Sequence, residues 1–357
     1  MKNLRVALIG TGGISPAHLN HYAGKEAVEI AGLCDILPAS LKATAAKHPE
    51  AVALTDWKAM LDKVRPDVVS VCTPNKFHAE MVLGALEAGA HVACEKPMAM
   101  NVQEAQAMES ARARAGKHGL INFSYRNCAS FRFARELIAQ GELGPIHRVN
   151  VVYLQSFLGA EETRYSWRND AVIAGFGALG DLGVHMIDAA RFITGLPIER
   201  VVGVAQTLVP KKKDANGNWQ AVTTDTNSSF LCQFGGGAIG TFETTQVAPG
   251  YGNYFRVEIS GEMGTVAVLS EQDQAIWIHQ GRVLSRYGTW AVNPLVRLTI
   301  PTGFSGSLPP GTPGCLIDVI RGTLQDYPTF ADGLAAQQVI DSIFLSTKTG
   351  SWVDIKS

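Results

Sequence analysis

Residues 4–124 alternate short apolar runs with longer, alanine-rich stretches of helical periodicity. Leu4–Ile9, Glu29–Cys34, Asp67–Cys72, His91–Cys94 and Leu120–Ser124 read as strands, and the segments around 14–24, 38–47, 56–64, 77–88 and 101–116 as helices. The strand runs are apolar throughout rather than alternating, the pattern of strands covered on both faces in a parallel sheet. Strand–helix alternation on this scale predicts a doubly wound α/β domain of the Rossmann type.

Beyond residue 124 the rhythm changes. A helix, Phe131–Gln140, leads into a strand-like run, Ile146–Tyr153, and a glycine-rich stretch, Gly175–Gly183, opens a second helix through Phe192. Arg200–Thr207, Asn227–Phe234, Ala238–Thr245, Phe255–Ser260 and Ala275–His279 alternate in the manner of an antiparallel sheet. Turn residues join them at Asp214–Gly217, Gly235–Gly237 and Gly261–Gly264. Lys211, Lys212, Lys213 and Asp214 read as an exposed hairpin tip. Helices near 316–325 and 332–347 precede a last run, Trp352–Ile355, and the Pro-, Gly- and Ser-rich stretch Thr302–Gly314 reads as a cover or a surface excursion.

Length and charge narrow the class. At about 150 residues per domain, 357 residues predict two domains, placed at 1–124 and 125–357, with the C-terminal helix a candidate to pack back on the first. Lys and Arg total 31 against 32 Asp and Glu, a balance without the basic footprint that nucleic-acid or anionic-membrane binding requires. Charged residues are 18% of the chain, below the ~25% usual in soluble domains, which favours a large interior or surface buried between subunits. The six cysteines, none closer than the 22 residues from Cys72 to Cys94, offer no zinc-ligand spacing and read as reduced thiols in a cytoplasmic protein. The opening apolar run is too short for a signal peptide, and proline and glycine interrupt the uncharged segment Leu298–Ile317, so no membrane span is expected.

The candidate chemistry gathers where the predicted strands end. Gly10, Thr11, Gly12, Gly13, Ile14 and Ser15 follow the first strand and open a helix, the place where glycines admit a dinucleotide pyrophosphate to free N–H groups. Asp35 ends the next strand, 23 residues after Gly12, where a carboxylate accepts hydrogen bonds from both ribose hydroxyls and repels a 2′-phosphate. Ile36 and Leu37 follow it in place of an arginine, so NAD is expected over NADP. Thr73, Pro74, Asn75 and His78 follow the run Asp67–Cys72 and are candidates for the nicotinamide side. Glu95, Lys96 and Pro97 follow His91–Cys94. A lysine at such a strand end can donate to a substrate hydroxyl, and the positive charge of oxidised nicotinamide would lower its pKa. Asp181 and His185 stand four residues apart after the glycines, on one face of an ordinary helix, and imidazole is well matched to moving a proton near neutral pH. Asp188 reads as structural, paired with Arg191 or orienting the imidazole.

This set of motifs, in this order, resembles the glucose–fructose oxidoreductase/inositol dehydrogenase (Gfo/Idh/MocA) family over essentially the whole chain, including Ala331-Asp332-Gly333 and Ser346. The resemblance implies a Rossmann domain followed by an α+β domain with a large open mixed or antiparallel sheet that serves homodimer or homotetramer contacts. It implies Lys96, Asp181 and His185 as the catalytic group, with a cis Lys96–Pro97 bond, and it places Arg126 near the site. Ser15 departs from the third glycine of the family's phosphate turn.

In that frame a sugar or polyol hydroxyl carbon loses hydride to nicotinamide. Asp181 positions Lys96 or a hydroxyl, and either His185 or Lys96 is the base. Arg126, Trp167 and Arg168 offer forked donors and an aromatic face for a sugar ring, and Tyr125, Asn127, Asn169, Thr245 and Tyr254 are further candidates. Two other readings share the motifs: a glycoside hydrolase that oxidises, eliminates and re-reduces with catalytic NAD, and a non-catalytic NAD-binding regulator. No metal is expected to take part.

Overall fold

The computed structural model describes residues 3–157, 163–280, 295–301, 304 and 312–355. The chain divides into two compact units, the first comprising Met1–Ser124, Val172–Gly175 and Leu308–Gln337, the second Tyr125–Ala171, Phe176–Ser307 and Gln338–Ser357. Most of the stretch Thr302–Gly314 falls outside the described residues.

In the first unit β1 (Leu4–Ile9), β2 (Val28–Cys34), β3 (Val52–Leu54), β4 (Val68–Val71), β5 (His91–Cys94) and β6 (Gly119–Ile121) form a six-stranded sheet in the order β3-β2-β1-β4-β5-β6. Every pairing is parallel. The order reverses direction at β1/β4, the switch point beside which such sheets bind ligands. Strand β3 escapes a reading from pattern because its three residues, Val-Ala-Leu, are too short a run and none is fully buried.

Both faces of the sheet are covered. Leu8, Leu33, Leu19, Leu41 and Cys72 form one core cluster. Leu4, Val6, Val68, Ala93 and Leu120 pack on the other side with Cys315, Leu316 and Ile317 from the helix Thr312–Ile320. Phe330, which opens the helix Phe330–Thr349, lies so close over β6 that a Cβ on Gly119 would sit 2.6 Å from its ring.

The second unit is built on β7 (Ile146–Leu154), β8 (Ile198–Gln206), β11 (Asn227–Phe234), β12 (Ile239–Thr245), β13 (Tyr254–Gly261), β14 (Gly264–Leu269), β15 (Ala275–Gln280), β16 (Val296–Thr299) and β17 (Val353–Asp354). They form one nine-stranded sheet in the order β16-β15-β14-β13-β7-β12-β11-β8-β17. β7 and β12 pair in parallel, so the sheet is mixed. Along β7, β11 and β13 the buried residues alternate with more exposed ones, including Val149, Val151, Tyr153, Phe230, Cys232, Phe255 and Val257 on the inner face. The helices Ala129–Ala139 and Val184–Thr194 pack on the sheet.

A two-stranded hairpin, β9 (Lys211–Lys213) and β10 (Trp219–Ala221), corrects one expectation. The turn lies at Asp214–Gly217, but the three lysines are strand residues and alternate. Lys211 and Lys213 lie over the Trp219 ring at 4.6 and 5.1 Å, while Lys212 is only 1% exposed and donates to Thr163 Oγ1 at 2.7 Å. Among the described residues one helical run, Ala171–Thr194, is long and apolar enough to cross a membrane, and most of it is buried as a core helix would be.

The packing of Phe330 on Gly119 is testable. Phe330→Ala removes a fully buried ring from a site that cannot collapse onto a strand lacking a side chain, and should cost about 3–5 kcal/mol in urea unfolding. A loss below about 1 kcal/mol would contradict this packing.

Candidate active site

At the carboxyl end of β1 the backbone of Gly10 (φ +95°) runs against the end of β4, and a Cβ there would lie 2.7 Å from the Cys72 carbonyl oxygen. Only glycine fits. Gly12, Gly13 and Ile14 follow at the surface, and a Cβ on either glycine would meet no protein atom within 4 Å. These two glycines hold open a cradle at the N-terminus of the helix Ser15–Tyr22, suited to a closely approaching phosphate. Ser15 turns inward, 1% exposed, with its Oγ donating to the Gly12 carbonyl at 2.7 Å, so it closes the turn without obstructing it.

Asp35 stands at the end of β2 with its carboxylate already engaged. Oδ2 accepts from the Thr11 N–H at 2.7 Å and the Thr11 hydroxyl at 3.0 Å, and Oδ1 accepts from the Leu37 N–H at 2.8 Å. A carboxylate offers about four acceptor positions. Acceptor capacity therefore remains on Asp35 for a ribose hydroxyl. Beyond it Ile36 and Leu37 expose most of their apolar surface.

After β4, Thr73 Oγ1 is buried without a hydrogen-bond partner, which marks it for a ligand. Asn75 is buried and donates to the Ala174 carbonyl at 2.7 Å, and Pro74 caps the short 3₁₀ turn Asn75–Phe77. His78 is fully buried, its ring nitrogens facing the carbonyls of Pro97 (3.0 Å) and Thr73 (2.9 Å). Burial lowers its pKa, with those two carbonyls opposing the shift. The ring braces the loops after β4 and β5.

The Lys96–Pro97 bond after β5 is cis. Glu95, next to Lys96, is buried against partners that sequence spacing gave no means of finding. Its Oε1 faces His18 Nε2 at 2.7 Å and accepts from Asn122, while His18 Nδ1 meets Ser70 Oγ at 3.0 Å and Ser70 meets the Tyr22 hydroxyl at 2.8 Å. Burial alone would raise the Glu95 pKa. The bond and charge of His18, the Lys96 ammonium and the Asn122 bond outweigh it and hold the carboxyl at about 2, against a usual 4.5.

In the second unit the glycines produce something other than the ordinary helix expected. Leu179–Gly183 is a π-helical turn, followed directly by the α-helix Val184–Thr194, so Asp181 and His185 straddle the junction. Such insertions are frequent at functional sites. Gln246 Nε2, just past β12, lies 3.4 Å from Asp181 Oδ2. His185 is 7% exposed, and the Tyr125 ring meets it edge-on at 5.0 Å.

The Tyr125 hydroxyl lies 2.6 Å from that of Tyr153 and 3.0 Å from Asn253 Nδ2, while Tyr153 and Gln155 both donate to Asn253 Oδ1, at 2.8 and 2.6 Å. Burial raises the Tyr153 pKa, and the charges of Tyr125 and Asp181 add to the rise. Tyr153, Gln155, Gln246 and Asn253 were not singled out in the sequence. Period-two alternation along β7 and β13 is the signal that could have found Tyr153 and Asn253.

The remaining candidates separate. Arg126 is buried, its Nε donating to Asp188 Oδ2 at 2.9 Å and its Nη2 to Asp188 Oδ1, a partner for Asp188 that the sequence reading did not include. Through these bonds the guanidinium is tied to the helix Val184–Thr194, which carries Asp188. Arg168 stacks on Trp167 at 4.5 Å in the 3₁₀ turn Trp167–Asn169 and is exposed. Thr245 bonds to the Thr226 carbonyl at 3.3 Å, and Tyr254 alternates to the face opposite Phe255, beside Tyr251. Among the described residues no group of three His, Cys, Asp or Glu could hold a metal ion.

Two family models match the chain: an oxidoreductase family NAD-binding Rossmann fold over residues 4–123 and a GFO/IDH/MocA C-terminal domain over residues 131–267. D-glucoside 3-dehydrogenase of Escherichia coli is 34% identical over 248 residues, 68% of this chain and 70% of that protein. The chain belongs to the Gfo/Idh/MocA oxidoreductase family. Levoglucosan dehydrogenase of Pseudarthrobacter phenanthrenivorans is 29% identical over 399 aligned positions, spanning 99% of each chain. A solved levoglucosan dehydrogenase in complex with NADH and levoglucosan aligns with a TM-score of 0.88 at 27% identity, covering 100% of both chains.

As a Gfo/Idh/MocA member the protein is an oxidoreductase with an NAD-binding Rossmann domain. The residues present fit NAD: the cradle at Gly12 and Gly13 suits the pyrophosphate, the free acceptor position of Asp35 a ribose hydroxyl, and the orphaned Thr73 hydroxyl a further polar group.

The Glu95 carboxylate has a pH signature. Because its folded pKa is depressed, it contributes stability that is full above about 4.5 and lost as the pH falls through about 2. Glu95→Gln should flatten the stability–pH curve over that interval in urea unfolding, and an unchanged slope would contradict the assignment.

Proposed function

We propose that this protein transfers hydride between a hydroxyl carbon of a sugar, inositol or sugar derivative and NAD, with Lys96, Asp181 and His185 handling the hydroxyl proton. The reading is supported by the family match over both units and by relatives named as sugar and inositol dehydrogenases. The single observation that carries it is the carboxyl edge of the parallel sheet. There one set of strand ends presents the phosphate cradle, the Asp35 carboxylate, the Thr73 hydroxyl and Lys96.

Bound NAD supplies the hydride acceptor. The protein's own residues supply the rest. Lys96 donates to the reacting hydroxyl oxygen and stabilises its developing negative charge. The adjacent Glu95 is held ionised by His18 and Asn122 beside it. His185 takes the hydroxyl proton as general base. Asp181, within reach of Gln246, orients the lysine or a neighbouring hydroxyl. Tyr125, Tyr153, Gln155 and Asn253 form a bonded set of hydroxyl and amide groups suited to hold the substrate's other hydroxyls.

We further propose a cytoplasmic protein, in keeping with its six free cysteines, and a homo-oligomer formed through the outer face of the nine-stranded sheet, where Val204, Leu231 and Ile239 are exposed.

A screen of NAD reduction over inositols, monosaccharides, anhydrosugars and disaccharides tests the proposal. His185→Ala and Lys96→Met should each lower turnover on the best substrate by more than about 100-fold while leaving NADH binding, read by fluorescence, nearly intact. Wild-type turnover in either variant, or tight NADH binding with no oxidation of any compound, would overturn it.

A further inference from the structure

The chain that enters the π-turn carrying Asp181, just ahead of the helix that carries His185, is held by a residue on a distant stretch of sequence. Asp225, in the buried segment Thr224–Thr226 ahead of β11, is 5% exposed. Its Oδ1 accepts from the Gly177 N–H at 2.6 Å and its Oδ2 from the Leu179 N–H at 2.7 Å. Its main-chain carbonyl accepts from the intervening Ala178 N–H at 2.9 Å. Three consecutive N–H groups thus end on one residue.

The fit is close enough to dictate sequence. A Cβ on Gly177 would fall 1.8 Å from the Asp225 carbonyl oxygen. The next residue, Thr226, extends the same support: its carbonyl accepts from the Gln246 N–H at 2.9 Å, and the Gln246 side chain reaches Asp181. Burial raises the Asp225 pKa against the two N–H bonds, and the Asp181 charge adds to the rise, so the two carboxylates lie within electrostatic reach.

We propose that Asp225 is a positioning residue for the reaction: by fixing Gly177, Ala178 and Leu179 it sets the π-turn that aligns Asp181 and His185. The inference rests on the dehydrogenase reading given above. A π-turn fixes its side chains in a register one residue away from that of an α-helix, and an entry free to slip would move both groups together. Displacements of about 1 Å in such groups are enough to cost about 100-fold in rate.

The test is a steady-state comparison of full-length Asp225→Asn with wild type on the best sugar found. Asparagine keeps one acceptor and sets an amide N–H₂ against the other N–H. The expected result is a fall in kcat of about 10- to 100-fold, with the NADH fluorescence titration unchanged and the sugar KM altered by less than about threefold. Asp214→Asn is the control. Its carboxylate likewise accepts from two backbone N–H groups, those of Asn216 and Asn218, but in the exposed hairpin turn, and its loss should leave kcat unchanged.

Wild-type kcat in Asp225→Asn, whatever its melting temperature, would reduce Asp225 to a structural cap and overturn the proposal. If Asp225→Asn does not fold, Asp225→Ser, which keeps a single short acceptor, is judged by the same kcat criterion. Should His185→Ala and Lys96→Met retain turnover, the dehydrogenase reading itself fails. Should they lose it while the Asp225 variant does not, only the present inference fails.

Discussion

At the carboxyl end of β1 the chain passes the end of β4 with room for a hydrogen atom and nothing larger: a methyl group on Gly10 would lie 2.7 Å from a main-chain oxygen. That approach brings the strand ends on either side of the sheet's reversal into one edge. It also sets the next glycines at the surface, where their lack of a side chain serves no internal packing. The phosphate cradle, the Asp35 carboxylate, the Thr73 hydroxyl and Lys96 all follow from strands that terminate on this edge. At the other end of the sheet, Phe330 packs on Gly119 at the start of β6.

Each unit also buries a carboxylate next to the residues assigned to chemistry, and each satisfies it differently. Glu95 is bonded by the His18 and Asn122 side chains and stays ionised to about pH 2. Asp225 is bonded by backbone N–H groups and so acts on main-chain geometry. Charges buried without such partners would be too costly to keep. Asp188, a third buried carboxylate, lies on the helix Val184–Thr194 and is held by the Arg126 guanidinium.

The strands and helices of the first unit were legible because apolar runs and helical periodicity are local properties; β1 and β5 there, and β11 in the second unit, have the bounds their patterns predict. The phosphate turn was legible for the same reason. β3 and the hairpin lysines were not: three residues carry too little periodicity, and Lys212 is buried by strand alternation within a charged triplet whose composition reads as surface. The π-turn was invisible because spacing alone assumes an ordinary helix, whereas the insertion depends on Gly177 meeting the Asp225 backbone. The partners of Glu95 lie up to 77 residues away, at distances that only the folded sheet defines.

The most direct measurement of the central claim follows the hydrogen itself. A sugar substrate carrying deuterium on the reacting carbon, incubated with the protein and NAD, should yield reduced nicotinamide one mass unit heavier and show a primary isotope effect on single-turnover reduction. Reduced cofactor without the label, or label returned to the sugar with release of an aglycone and no net reduction, would contradict it.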